Sequence, residues 1–378
     1  IDIERGSVQI NSNPYISMGA TNRIDIGNLV VASAGVRPMV NFNGWTTLNS
    51  GGINTLGGQG LTQNSNIRLT QLNSAPFGTA SLVNGLIGGW AVADGSTFAT
   101  YSATFGVVAM GQQYNLGGGY PATNFTGNDI NATVVTGNYN DGATVRTITG
   151  PHSANSWRLS AGANQDFTFV NAPITLGVGI ITNNGSTITL QGDTSVSSLT
   201  AAGSDLYVYT NQGTMNLNMT LTGAMNFVKS GGGTLALRPP SSPVSNDYLG
   251  TTFVNQGTLN LNAPPGGYVL IPGDIVVSGW GSGANTTVAM LNNQSQIAAT
   301  SSISLLGGAN LNLVGTNTLN AVLFDNEGGM SNPTLATAVK LTLTAANAGA
   351  KVLLIEQQPL LGGSLTYARF DMQGRRAE

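Results

Sequence analysis

Apolar and polar residues alternate along most of this chain, and the alternation restarts after each turn. A period of two sends successive side chains to opposite sides of an extended backbone, so each run predicts a strand with one buried face. Clear runs lie at 7–10, 22–30, 67–72, 144–148, 166–170, 187–190, 205–209, 251–254, 274–277, 302–306 and 340–343. Turn dipeptides separate them, among them Asn43-Gly44, Asn84-Gly85, Asp94-Gly95, Asp141-Gly142 and Asn184-Gly185. Short strands with Gly and Asn turns predict an all-β protein, as a sandwich, a barrel or a solenoid.

One recurring phrase decides for the solenoid. It reads Gly213-Thr214-Met215-Asn216-Leu217, Gly233-Thr234-Leu235-Ala236-Leu237 and Gly257-Thr258-Leu259-Asn260-Leu261, with a weaker copy at Ala309-Asn310-Leu311-Asn312-Leu313. The first three copies start 20 and 24 residues apart, at 213, 233 and 257. A unit of that size cannot bury its own apolar face, so neighbours must stack on it. A single solenoid with roughly 24 residues per coil would have about 15 coils and a length of roughly 70 Å.

The repeat is most regular over 185–325, within a solenoid segment expected at 151–378. Residues 1–80 read as N-terminal coils. Residues 81–150 are irregular and rich in Gly and aromatics, and predict wider coils, protruding loops or a cap. Pro239, Pro240 and Pro243 interrupt the coils over 238–248, as do Pro264-Pro265-Gly266-Gly267. The expectation is one continuous elongated domain.

Composition narrows the function. Only 8% of residues are charged, so Asn, Thr, Ser, Gln and Gly must cover the surface. Helix-forming Ala-Glu-Lys-Leu stretches are missing. Lysine occurs only at 229, 340 and 351, and the longest basic run is Arg375-Arg376, which disfavours nucleic-acid binding. No apolar stretch reaches the length of a membrane-spanning helix. Cysteine is absent, which removes disulfides and thiolate metal sites. No signal peptide is visible, and strand-like alternation begins at Ile1.

The repeat carries a resemblance. Val228-Lys229-Ser230-Gly231-Gly232-Gly233-Thr234-Leu235-Ala236-Leu237, a short loop, and Thr251-Thr252-Phe253-Val254-Asn255-Gln256-Gly257-Thr258-Leu259-Asn260-Leu261 resemble the autotransporter-associated β-strand repeat of large bacterial surface proteins. Flanking runs at 204–211, 296–298 and 311–315 are similar to strands that border that repeat, and 84–101 is similar to a lead-in segment of such proteins. The resemblance is fullest over 185–325, looser over 20–184, and fades after 330. It implies a right-handed parallel β-helix displayed outside a bacterial cell, Gram-negative by this likeness, with no catalytic residues and no cofactor. The family's C-terminal translocating barrel has no counterpart here, which implies an excerpt of a longer chain or another export route.

Candidate chemistry is sparse. His152, the one histidine, stands in the turn Gly150-Pro151-His152-Ser153 and reads as an exposed turn residue. Asp325 and Glu327 are close enough on an extended chain to serve as a carboxylate pair or a calcium contact, yet Asn326, Gly328 and Gly329 around them read as a solvated turn. The Gly-Gly-x-Gly-x-Asp signature of calcium β-rolls is absent, and Gly117-Gly118-Gly119 lacks the Gly-Lys-Ser/Thr of a phosphate loop. Trp45, Trp90, Tyr101, Tyr114, Tyr120 and Trp157 are aromatics of a core, or of a sugar-stacking platform in which Trp90, Tyr101, Tyr120 and Trp157 are the foremost candidates.

The functional expectation is a non-enzymatic extracellular structural protein, a rigid surface stalk or the subunit of a fibre built by end-to-end stacking. Its partners are then other copies of itself or other surface components. Two alternatives stand beside it: a carbohydrate- or host-binding adhesin, and a polysaccharide-degrading enzyme on a β-helix.

Overall fold

The computed structural model describes residues 1–3, 6–12, 21–31, 35–44, 59–60, 63–103, 106–111, 125–132, 134–279, 286–325, 333–337, 340–344, 354–355, 371–372 and 375–376. Among these there is no α-helix; two short 3₁₀ turns interrupt an otherwise all-β chain. The fold is a β-solenoid built from parallel stacked sheets.

Two long sheets form the main solenoid. One runs through His152–Leu159, Ile174–Thr182, Asp205–Thr210, Asn226–Ser230, Thr252–Val254, Ile275–Val277, Ser302–Leu305 and Ala321–Asp325. The other is nine-stranded and runs from Val145–Thr149 through Gln165–Val170, Thr187–Gly192, Thr214–Asn218, Thr234–Leu237, Thr258–Leu261, Thr286–Met290 and Ala309–Leu313 to Thr334–Thr337. Each coil contributes one strand to each sheet. Loop length sets the interval between equivalent positions, which is 21 residues from Asp205 to Asn226 and 28 from Asn183 to Asn211.

Parallel register turns the sequence alternation into interior columns. On the second sheet Ile188, Met215, Leu235, Leu259, Val288, Leu311 and Leu335 stack rung on rung. A second column holds Leu190, Leu217, Leu237 and Leu261. All of these except Leu335 are essentially inaccessible, and Leu335 packs against the same core. The intervening residues face outward. Thr187, Thr214, Thr234, Thr258 and Thr287 form a hydroxyl column that continues to Asn310 and Thr334.

Turn glycines in and just before the recurring phrase are demanded by this stacking. Gly213 and Gly257, which open two of its copies, and Gly231, two residues before the copy at Gly233, have φ of 70°, 73° and 81°. A Cβ on Gly257 would lie 2.4 Å from the carbonyl oxygen of Gly231 in the preceding coil. Only a residue without a side chain accepts both the left-handed backbone and that approach.

The described residues between 1 and 111 depart from the expectation of one continuous rod. They form a separate short stack. Ser7–Ser12, Met39–Gly44 and Ala91–Ala93 pair in parallel as one side of it. Thr21–Leu29, Gln63–Leu72 and Gly106–Ala109 form the other. Thr97–Ser102 then pairs antiparallel with both Ala91–Ala93 and Gly106–Ala109, so one strand covers the last edge on each side. This edge strand lies within the segment 81–150, and parallel pairing in the main solenoid starts at Val134.

The short stack lies alongside the main solenoid and runs the opposite way. Gly6 approaches Gly279, the carbonyl of Arg37 accepts from Asn255 Nδ2 at 2.6 Å, and Asn84 Nδ2 donates to Asn155 Oδ1 at 3.1 Å. Rising numbers in the short stack therefore meet falling numbers in the long one. Met39, Leu86, Val92, Phe98 and Met110 bury against Val178, Ile181, Tyr209, Val228 and Phe253 on the outer side of the first sheet. An ion pair between Arg37 and Asp205 and a hydrogen bond from Arg158 Nε to the Ser96 carbonyl flank this second core.

The main solenoid has about eight turns. At about 4.8 Å per rung that is roughly 40 Å of stacked length, shorter than the 70 Å expected from one coaxial rod. At its start the 3₁₀ turn Ile130–Ala132 drops Ile130 fully into the core.

Two outcomes test this architecture. Gly257→Ala combines left-handed strain with a backbone clash and is expected to destabilise the protein by about 1–3 kcal/mol, read as a lowered melting temperature. Phe98→Ala is expected to cost about 3–5 kcal/mol at the seam between the stacks. Limited proteolysis should then cut within residues 1–111 while the segment from 134 onward persists.

Candidate functional site

The repeat itself holds the most unusual side chain in the protein. Trp157, Ile180, Val208, Lys229, Val254, Val277 and Leu305 occupy one column of the first sheet. Lys229 therefore stands in the interior, in phase with Phe227 on the same strand, and is completely buried. Its Nζ donates to the carbonyls of Ser230 at 3.0 Å, Gly231 at 2.6 Å and Gln256 at 2.8 Å. The first two belong to its own turn and the third to the next coil. The ammonium thus clamps the corner of one coil to the corner above it.

Two effects oppose each other at this amine. Burial pushes its pKa down to about 7. Three carbonyl acceptors favour the protonated form, because only the ammonium supplies three donors. Lysine is scarce along the chain and Lys229 lies within the repeat, but the sequence alone gives it no role. The usable signal was its position at an apolar phase of a strand, two residues after Phe227.

The aromatic candidates do not assemble into one platform. Trp157 is 1% exposed, packed edge-on against Phe167 at 5.2 Å and Phe169 at 6.2 Å. Strand phase puts it in the interior column, so it is removed from any sugar-stacking surface. Trp90 is partly buried at the seam between the stacks, 6.4 Å from Phe42. Tyr101 packs edge-on against Phe77 at 5.2 Å, with its hydroxyl donating to the Leu69 carbonyl at 3.2 Å. Tyr120, Trp45 and Tyr114 lie outside the described residues.

The polar candidates are separated as well. His152 begins a strand and is half-buried, with Nε2 3.1 Å from the Thr149 carbonyl. Asp325 ends the strand Ala321–Asp325, while Glu327 lies outside the described residues. Asp325 lines a cavity of about 330 Å³ with Arg37, Phe253, Val276 and Leu306, at the open end of the seam between the stacks. Among the described residues no group of three or more His, Cys, Asp or Glu side chains is placed to hold a metal ion. No described helix is long and apolar enough to cross a membrane.

With the coils and the lysine clamp in view, the comparison with known families is specific. Residues 227–261 match the family described as the passenger-associated-transport-repeat. The matched span opens at Phe227 and Lys229 and closes on Leu259 and Leu261, so it covers the clamp, the Gly231 turn and the next coil. This segment is a repeat of the autotransporter passenger type. No curated protein and no solved structure matches the chain.

The lysine clamp makes a pH-dependent prediction. With a native pKa near 7 against 10.5 for the free amine, the unfolded chain holds this proton more tightly between those values. Native stability therefore rises with pH across that window and falls again as the pH returns to 7. Below 7 both states are protonated and the contribution is flat. The slope is at most about 1.4 kcal/mol per pH unit. Melting curves at intervals from pH 7 to pH 10 should show this rise, and Lys229→Met should abolish it. Lys229→Ala, which orphans three buried carbonyls and leaves a cavity, is expected to lose about 3 kcal/mol or more.

Proposed function

We propose that this chain is a non-enzymatic extracellular structural protein, whose β-solenoid serves as a rigid stalk at a bacterial surface or as the subunit of a fibre. The observation that carries this reading is the pair of parallel ladders, one of them running from Val145–Thr149 to Thr334–Thr337, with apolar columns inside and the clamp at Lys229. Every rung hydrogen-bonds to the next along the axis, so bending the rod requires stretching many backbone bonds together. The passenger-type repeat supports secretion or surface display, because repeats of this kind belong to exported bacterial proteins.

The two stacks side by side add stiffness. A second core on the outer side of the first sheet resists twisting of the main rod, and a strand caps the last edge on each side of the short stack. Capped edges oppose unwanted strand pairing. In a fibre, end-to-end stacking at the start of the main solenoid must accommodate the turn that carries Ile130. The low charge of the chain leaves little repulsion between neighbouring rods.

A second reading, a carbohydrate-binding adhesin, is favoured by a polar cleft between the stacks, described below. Electron microscopy of the purified protein tests the stalk reading. Short rigid rods, or fibres whose axial repeat equals one chain, are the expected images. Incubation with a panel of neutral and acidic polysaccharides should yield no released oligosaccharides; robust turnover would overturn the non-enzymatic reading.

A further inference from the structure

We infer that the seam between the two stacks carries a binding site for a neutral saccharide. This site is independent of the stalk reading and shares no lining residue with the cavity that Asp325 lines. A cleft of about 260 Å³ opens where the first coils of the short stack and the capping hairpin meet the outer side of the main solenoid. That volume is near the small end for small-molecule sites, which begin at about 300 Å³, and suits one sugar ring with its neighbours left outside.

The chemistry of the walls defines the ligand class. Gln9, Asn41 and Asn43 come from the short stack, Asp94 from the hairpin, and Asn211 and Gln256 from the main solenoid; Tyr209 forms the floor. Five side-chain amides and one carboxylate thus converge on one cleft. An amide presents a donor and an acceptor side by side, which matches a pair of neighbouring hydroxyls on a sugar ring. The lining has no Arg, Lys or His and includes Asp94, so it disfavours anions such as phosphates and uronic acids.

Two features make this a built site rather than a chance hollow. First, its frame is fixed from both sides. Asp94 and Gly95 adopt φ of 51° and 59°, the tight turn of a two-stranded hairpin, and the Asn41 Oδ1 accepts from the Gly95 amide at 2.9 Å. Asn211 is held by Nδ2 donation to Asn183 Oδ1 at 2.6 Å. A Cβ on Gly95 would come within 2.8 Å of the Asn211 amide, so the hairpin tip is seated against the solenoid. Second, the side-chain amides of Gln9, Asn43 and Gln256 have no hydrogen-bond partner among the described residues. They are the groups left to engage a ligand.

Tyr209 is buried, and burial raises its hydroxyl above the ordinary tyrosine range. It stays neutral throughout the physiological range and supplies an uncharged floor. The cleft also joins the two stacks, so a ligand bridging Asn43 and Gln256 would tie them together.

Isothermal titration with neutral tetrasaccharides (cello-, xylo-, manno- and chito-oligosaccharides) and with tetragalacturonate tests the site. At least one neutral tetrasaccharide is expected to bind, and tetragalacturonate is expected not to. Gln256→Ala and Asn43→Ala should each weaken binding about three- to tenfold, the loss of one neutral hydrogen bond. Gln9→Ala, at an exposed side chain, should weaken binding likewise without lowering the melting temperature, and melting temperatures control for the other two. Absence of binding by every neutral tetrasaccharide at millimolar concentration would overturn the inference. So would equal binding of tetragalacturonate, or undiminished affinity in the Asn43→Ala, Gln256→Ala double variant. Rod-shaped particles seen by microscopy in any of these cases would leave the stalk reading standing.

Discussion

Everything in this protein depends on the parallel backbone ladder between successive coils. Antiparallel hairpins are local, but a parallel pair needs a crossover, and here the crossover is a strand of the second sheet. Each coil therefore supplies both faces of the core and leaves its own edges open. Stability comes from the next coil, which satisfies those edges and seals the apolar columns. The turn glycines, the Thr column and the Lys229 clamp are consequences of that stacking, because each lies where one coil meets the next.

Lys229 shows how such a fold uses an expensive group. A buried ammonium is unfavourable unless its donors are satisfied. At this corner three carbonyls point inward from a tight turn and from the coil above, where no strand partner is available. The lysine resolves both problems at once. The match of residues 227–261 to the passenger-type repeat spans this clamp, and the clamp gives the repeat a physical meaning beyond strand spacing.

The doubling back of residues 1–111 is the feature that gives the surface its chemistry. A lone solenoid offers flat, repetitive faces. Packing a second stack against one of them creates a seam with an apolar centre and polar margins. Phe98 and Val228 hold that centre, while Asp94, Asn41, Asn43 and Gln256 gather at a margin. Residues remote in sequence converge there.

The sequence alone determined the solenoid. A period of two names the strands, and the Gly-Thr-Leu phrase names the coil, because both depend only on local backbone geometry and on neighbours one coil away. The predicted runs at 187–190 and 205–209 fall within Thr187–Gly192 and Asp205–Thr210. Phase along a strand also contained the burial of Trp157 and Lys229, but only register showed which phase was interior: Trp157 lies over Ile180 and below nothing polar until Lys229 three rungs later. The reversal of the short stack was decided by tertiary structure. Its outward residues Met39, Val92 and Phe98 read as ordinary alternation, and nothing local specifies which distant sheet covers them. Burial of apolar area is non-directional, so it can select a docking face only once both surfaces exist. The polar cleft follows from that choice and was therefore invisible until the two stacks were brought together.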